Sequence, residues 1–118
     1  MYTYNIKEVI KIYDGDTITV VLDLGFGITK KEVIRLYGID TPELRGESRP
    51  QGLISRARLV ELIEEHKDTL YIKTYKDKAG KYGRMLGSIM YKDGDKSLNE
   101  MLVDEGLAVE YFGGKKKK

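Results

Sequence analysis

Residues 35–43 read RLYGIDTPE and mark a point at which a strand ends abruptly. The apolar residues around Arg35 predict the strand, and Pro42 ends it, because proline lacks a ladder N–H and keeps the residue before it out of the helical region. Two carboxylates, Asp40 and Glu43, flank this break. Carboxylates beside a guanidinium are what a hard-cation site next to an anion clamp requires. An ordinary strand end with surface charges fits the same residues.

A second acidic turn, DGDT at residues 14–17, lies between two strand-like segments. Asp-Gly is a common hairpin signal, so Asp14 and Asp16 also fit the interpretation of plain turn residues. The two acidic turns and Arg35 can nevertheless converge from separate strands on one point. From these residues alone, both interpretations stay open.

Composition limits the chemistry that the chain can perform. Its 118 residues suffice for one domain, and 41% apolar with 34% charged residues are typical of a globular protein. No apolar run reaches the length of a membrane span, so we expect no membrane partner. Without cysteine, disulfides and thiolate catalysis are excluded, and the single histidine, His66, excludes a multi-histidine metal site. A general base is therefore expected among carboxylates, lysines or tyrosines.

The net charge of +2 depends on the end of the chain. Four of the 21 basic residues are Lys115–Lys118, which leaves 17 basic against 19 acidic residues in the body. A phosphate-binding surface would therefore be local. The lysine tail could attract nucleic acid, or be a solubility segment or a cloning addition. The N-terminus has no signal-like apolar core, so we expect a cytoplasmic protein if the chain is complete and a secreted one if a leader was removed.

The order of predicted elements indicates a small barrel. Segments 6–13 and 17–24 are rich in β-branched residues and predict a hairpin, and 31–39 predicts a third strand. The later elements are a helix from Pro50 to about His66, strands at 69–75 and 85–91, and a helix with a capping-box sequence at 97–100 that ends at Gly106. We therefore expect a mainly β, α+β fold: a five-stranded Greek-key barrel of the oligonucleotide-binding (OB) type, with a helix between strands 3 and 4 and a C-terminal helix.

The first helix carries an apolar stripe that we expect to face the core. Its centre is Leu53, Ala57 and Val60, with Ile54 and Ile63 at the margins.

A third motif, KYGR at residues 81–84, follows the acidic turns, and SLNEMLV at 97–103 and GLA at 106–108 come after it. With these motifs in this order, the sequence resembles the staphylococcal nuclease (thermonuclease) family over nearly its whole length. The resemblance implies that residues 1–112 form a nuclease domain of the OB type. Residues 113–118 are expected to be a disordered Gly/Lys tail.

The resemblance also implies a calcium site and a base. Asp16 and Asp40 match the family's two carboxylate ligands of Ca²⁺, and Thr41 matches the residue that supplies a backbone carbonyl. Asp14 matches a carboxylate near the metal. Glu43 matches the glutamate that positions or deprotonates the attacking water.

The remaining matched residues are implied to bind phosphate. Arg35 and Arg84 match a guanidinium pair on the scissile phosphate, where planar forks suit phosphate oxygens. Lys81 and Tyr82 match contacts to a neighbouring nucleotide phosphate.

Together these matches imply a calcium-dependent endonuclease for DNA, RNA or both, with low sequence specificity and 3′-phosphate products. We expect a monomer. The alternatives are a non-catalytic OB-type barrel that binds oligonucleotides, and a protein-interaction barrel, which would need a large exposed apolar patch.

Overall fold

The structure is a computed structural model that describes residues 2–75 and 85–111. Seven strands, two α-helices and a short 3-10 turn follow one another along this part of the chain. In order, they are β1 (Thr3–Asp14), β2 (Thr17–Gly25), β3 (Ile28–Leu36), β4 (Ile39–Asp40), the 3-10 turn (Gly46–Ser48), α1 (Arg49–His66), β5 (Leu70–Tyr75), β6 (Met85–Tyr91), α2 (Leu98–Asp104) and β7 (Val109–Glu110).

Five of the strands close into a barrel in the order β1-β2-β3-β6-β5. All neighbours are antiparallel except β3 and β6, which run parallel with Arg35 opposite Leu86. The predicted mainly β barrel with one intervening helix and one C-terminal helix is therefore confirmed. None of the described helices is long and apolar enough to cross a membrane.

The barrel interior is filled by alternating residues of its strands. On β3, Ile34 and Leu36 are fully buried, while Arg35 between them lies on the outer face. On β2, Ile18, Val20 and Leu22 point inward in the same way. A strand with this alternation can hold a charged side chain outside the barrel without disturbing the core.

Strand β1 is irregular along its pairing with β2. The register shifts three times, between Ile6 and Glu8, between Val9 and Lys11, and between Ile12 and Asp14. Such bulges increase the local twist and bend a strand, which lets a sheet of only five strands close on itself.

The end of the third predicted strand differs from the sequence-based boundary. Strand β3 ends at Leu36, and Ile39–Asp40 form a separate two-residue strand, β4, which pairs with β7. A strand of two residues is too short to show periodicity, so the sequence analysis missed β7 and the β4–β7 pair. This small sheet holds Asp40 at its edge.

The predicted centre of the buried face of α1 was wrong, although Ile63, predicted at its margin, is buried. Leu53 and Ile54 are 42% and 55% exposed, and Ala57 is also exposed. The face that is buried consists of Gly52, Ser55, Leu59, Leu62 and Ile63. The first two buried residues of this face, Gly52 and Ser55, are small because α1 approaches other parts of the backbone closely there. A search for apolar residues at helical spacing does not detect them.

Helix α2 begins as predicted. Ser97 accepts from the Glu100 N–H, and the Glu100 side chain returns to the Ser97 N–H, which completes the capping box. Asn99 on this helix is buried, and its side chain links three backbone segments. Its Oδ1 accepts from the Ile89 N–H at 3.1 Å, and its Nδ2 donates to the Tyr37 and Gly87 carbonyls at 2.8 and 3.1 Å.

Candidate active site

The β2–β3 register brings the first acidic turn to Arg35. Thr17, the first residue of β2, lies opposite Arg35, and the Leu36 N–H donates to the Asp16 carbonyl at 2.8 Å. Asp16 therefore lies beside a guanidinium that is 19 residues later in the chain. The pairing of β2 with β3 is thus sufficient to bring Asp16 next to Arg35.

Arg35 lies between the two acidic turns. Its Nη2 is 3.5 Å from Asp16 Oδ2 and 3.3 Å from Asp40 Oδ1. Its Nη1 donates to the carbonyls of Leu36 and Ile39 at 3.0 and 2.9 Å. With only 14% of the side chain exposed, the guanidinium is fixed in direction, and it holds the turn between β3 and β4 in shape.

Asp16 links the β1–β2 turn to the break after β4. The residue is 6% exposed. Its Oδ2 accepts from the Thr41 N–H at 3.0 Å, and its Oδ1 accepts from the Thr17 hydroxyl at 3.1 Å. The Asp16 N–H in turn donates to Asp14 Oδ1 at 3.1 Å. The structure thus brings Asp14, Asp16 and Thr41 together.

The pKa of Asp16 is raised above the ordinary aspartate value. Burial is the largest cause, and the neighbouring Asp14 adds to it, whereas Arg35 and the Thr41 N–H act in the opposite direction. The ionised form of Asp16 is therefore not fully compensated by Arg35. A further positive charge close to the Asp16 carboxylate would stabilise its ionised form.

Glu43 is arranged differently from the two aspartates. Its side chain is 61% exposed, and its Oε2 accepts from Arg45 Nε at 3.0 Å. Its backbone carbonyl accepts from the Ser48 hydroxyl at 2.9 Å, which ties the residue to the start of α1. The backbone of Glu43 is thus held, while its carboxylate faces solvent together with Arg45.

Two glycines allow other elements to approach residues 41–43. A Cβ atom at Gly52 of α1 would lie 2.8 Å from the Pro42 carbonyl oxygen and 2.7 Å from that of Glu43. A Cβ atom at Gly15 would lie 2.7 Å from Thr41 Cγ2. All three distances are too short for a real Cβ contact, so glycine at both positions permits this packing. The segment that carries Thr41 and Glu43 is clamped between the β1–β2 turn and α1.

Replacing Gly52 by alanine should therefore lower the free energy of unfolding by about 1–3 kcal/mol, because the methyl group meets backbone oxygens that cannot turn away. At a helix position with free space around it, Gly→Ala instead raises the free energy of unfolding by about 0.5–1 kcal/mol. The sign of the change therefore shows whether Gly52 is in close contact with the backbone. Urea unfolding measures it. Gln51→Ala, at the exposed neighbouring position, is the control and should stay close to the parent. A Gly52→Ala protein at least as stable as the parent would contradict the clamp.

Three of the predicted site residues, Lys81, Tyr82 and Arg84, lie outside the described residues. Sequence analysis in turn missed the roles of Gly15, Gly52 and Arg45. A glycine inside an otherwise helical pattern often has a packing reason, and this signal could have identified Gly52. No comparable signal pairs Arg45 with Glu43.

The described residues can be tested for their fit to a metal ion. Residues 2–75 and 85–111 contain no group of three or more His, Cys, Asp or Glu side chains placed to hold one. They do bring together two carboxylates, of Asp16 and Asp40, and the backbone of Thr41. The buried Thr41 hydroxyl has no hydrogen-bond partner in this part of the chain. Oxygen donors of this kind suit Ca²⁺, which takes carboxylates, carbonyls and water in flexible geometry.

Comparison with known proteins identifies a family that the chain matches. Residues 33–118 match the family described as staphylococcal nuclease homologue. Protein ParB of Escherichia coli is 31% identical over 115 residues, an alignment that covers 88% of this chain and 56% of ParB. The chain thus spans little more than half the length of that relative.

Proposed function

The chain belongs to the family of staphylococcal nuclease homologues, and we propose that it is a calcium-dependent nuclease. It would hydrolyse phosphodiester bonds of DNA, RNA or both with low sequence specificity and leave 3′-phosphate ends. One observation carries the proposal beyond family membership: a single nitrogen of Arg35 lies 3.5 Å from Asp16 and 3.3 Å from Asp40. Two carboxylates that could bind a hard cation therefore lie next to a guanidinium that could bind a phosphate.

In this proposal Asp16, Asp40 and the Thr41 carbonyl hold Ca²⁺. Asp14 supports the set by accepting from the Asp16 N–H. When bound, the ion neutralises charge on a phosphate oxygen and makes a nearby water more acidic. The raised pKa of Asp16 supports this assignment, because a carboxylate with uncompensated burial gains from a cation.

Arg35 and Glu43 act on the reacting groups. Arg35 donates to the scissile phosphate, and its buried, fixed guanidinium needs little reorganisation as charge develops there. Glu43 takes a proton from the attacking water while the water oxygen forms a bond to phosphorus. The bond from phosphorus to the 5′ oxygen breaks, and that oxygen leaves with the electron pair of the bond and takes a proton from solvent water. Arg84 would share the phosphate with Arg35, and Lys81 and Tyr82 would hold the neighbouring nucleotide.

A cleavage assay tests this function. Single- and double-stranded DNA and RNA are incubated with the protein in Ca²⁺, in Mg²⁺ and in chelator. We expect cleavage in Ca²⁺ that chelator abolishes, with 3′-phosphate ends on the products. Tight binding without cleavage in any metal would instead support a non-catalytic oligonucleotide-binding barrel. Equal cleavage in chelator would contradict the role given to the acidic residues.

A further inference from the structure

Two basic side chains lie across the first acidic turn from Arg35, and the proposed chemistry uses neither of them. The first is Lys11 on β1, which is separated from β3 by β2. On β2, Thr17 lies opposite Arg35. Two residues further along the same strand, Thr19 lies opposite Lys11. Lys11 and Arg35 therefore share the outer face of the barrel, with Cα atoms about 12 Å apart at the usual strand spacing and rise.

The second basic side chain, Arg56 of α1, flanks the same turn from the helix side. Its Nε donates to the Ile12 carbonyl of β1 at 2.8 Å. The residue before it lies against the turn, because a Cβ atom at Gly15 would be 3.0 Å from Ser55 Cβ. Within residues 2–75 and 85–111, no carboxylate pairs with Arg56. One bond thus sets the direction of the guanidinium and leaves its two Nη nitrogens to bind an anion.

Lys11 is held beside the turn by an aromatic ring. Its Nζ lies 4.3 Å from the centroid of the Tyr13 ring, and Tyr13 directly precedes Asp14 of the turn. Both Lys11 and Tyr13 are exposed. A contact with a ring positions an ammonium but does not neutralise it, as a carboxylate would. Lys96 is neutralised by Asp104, whereas Lys11 forms no ion pair with any residue that the structure describes.

A bridging anion would stabilise these two cations together. They contact consecutive residues, the carbonyl of Ile12 and the ring of Tyr13, so their positive charges lie near each other and repel. A nucleic-acid strand supplies one negative charge per nucleotide, at intervals of about 3.4 Å along the axis of a duplex strand. On that scale, the distance of about 12 Å from Arg35 spans roughly three to four phosphates.

We propose that Lys11 and Arg56 bind a second phosphate of the substrate strand, across the acidic turn from the phosphate held by Arg35. The inference rests on the proposed nuclease function and names its substrate class. This class is a polynucleotide long enough to reach both points, rather than a mononucleotide or dinucleotide. Phosphate contacts fix the register of a strand without reading its sequence, which agrees with low sequence specificity.

The test compares binding of a long and a short probe to a non-cleaving protein, Glu43→Gln, in Ca²⁺. The long probe is single-stranded DNA of about 12 nucleotides, within the site size of an OB-type barrel. The short probe is a dinucleotide with a single phosphodiester. Adding Lys11→Gln and Arg56→Gln should raise Kd for the long strand about fivefold at about 0.1 M salt. The slope of log Kd against log salt should fall by about 0.7, the contribution of one phosphate contact on a single strand. Kd for the dinucleotide should stay within about twofold of the background.

Lys7→Gln with Arg58→Gln is the matched control, because it removes the same two charges from the same two elements. Lys7 is exposed on β1, and Arg58 of α1 is paired with Glu105. This control should bind the long strand as the background does, with the same salt slope.

Each outcome decides between the two proposals. If Lys11→Gln with Arg56→Gln binds the long strand as tightly as the background while the parent cleaves in Ca²⁺, the second phosphate site is wrong and the nuclease function remains. Equal weakening for both probes, or equal weakening in the control, also overturns the second site. A parent that neither binds nor cleaves nucleic acid overturns both proposals. Should Arg56→Gln lower Tm because the bond to Ile12 is lost, Lys11→Gln alone decides, and an unchanged Kd for the long strand overturns the site.

Discussion

Replacing Arg35 by lysine is expected to lower kcat for nucleic-acid cleavage by about 100- to 1000-fold, the loss typical of a pre-organised donor to developing charge. The guanidinium is held by the Leu36 and Ile39 carbonyls while its Nη2 faces Asp16 and Asp40. A lysine ammonium can make no planar fork, so it cannot serve the carbonyls and a phosphate at once. The loss should fall on kcat more than on KM if Arg35 acts mainly in the transition state.

The matched control for this change is Arg58→Lys. Like Arg35, Arg58 contacts a carboxylate, but it forms a bidentate pair with Glu105 on the exposed surface between α1 and the end of α2. Cleavage by Arg58→Lys should equal that of the parent. Steady-state kinetics on single-stranded DNA in saturating Ca²⁺ compares the two variants. If Arg35→Lys retained parental kcat, Arg35 would have no part in stabilising the transition state.

Glu43→Gln is expected to lower kcat by about 100- to 10,000-fold, the range for removing a general base. The amide has nearly the same shape but cannot take a proton from water. Because the Glu43 carboxylate is exposed and not part of the Asp16–Asp40 pair, the variant should fold and bind nucleic acid like the parent. Its Tm and its Kd for single-stranded DNA measure these two properties.

Glu47→Gln controls for the loss of one negative charge in the same loop. Glu47 lies in the exposed 3-10 turn, so its variant should cleave at the parental rate. Arg45 gives a second comparison, because Arg45→Ala removes the hydrogen bond to Glu43 without removing the carboxylate. Parental turnover in Glu43→Gln would exclude Glu43 as the base and leave the water to be activated by other groups.

Much of the barrel could be predicted from the sequence because its signals are local. β-branched segments, the Asp-Gly turn, the break at Pro42 and the capping box at Ser97 each specify structure within a few residues. The convergence of Asp16 with Arg35 then follows from strand register, since Thr17 lies opposite Arg35. An alternating strand also explains how Arg35 can lie outside a core that contains both of its neighbours.

The features that sequence analysis missed depend on contacts between distant segments. The buried face of α1 begins with Gly52 because Pro42 and Glu43 pass directly under the helix, and hydrophobicity does not report such close packing. The β4–β7 pair joins two-residue strands whose sequences carry no pattern. The Tyr37–Tyr75 stack likewise joins the β3–β4 turn to the end of β5, and no spacing in the chain predicts it.

The central claim is that Asp16 and Asp40 share one calcium ion. Calorimetric titration of Ca²⁺ into the parent, Asp16→Asn, Asp40→Asn and the double variant tests it most directly. Each single substitution should weaken Ca²⁺ binding at least about 10-fold, because each removes one of two charged ligands. The double variant should lose less than the sum of the two effects, as residues in one network do. Parental Ca²⁺ affinity in either single variant would contradict the shared site.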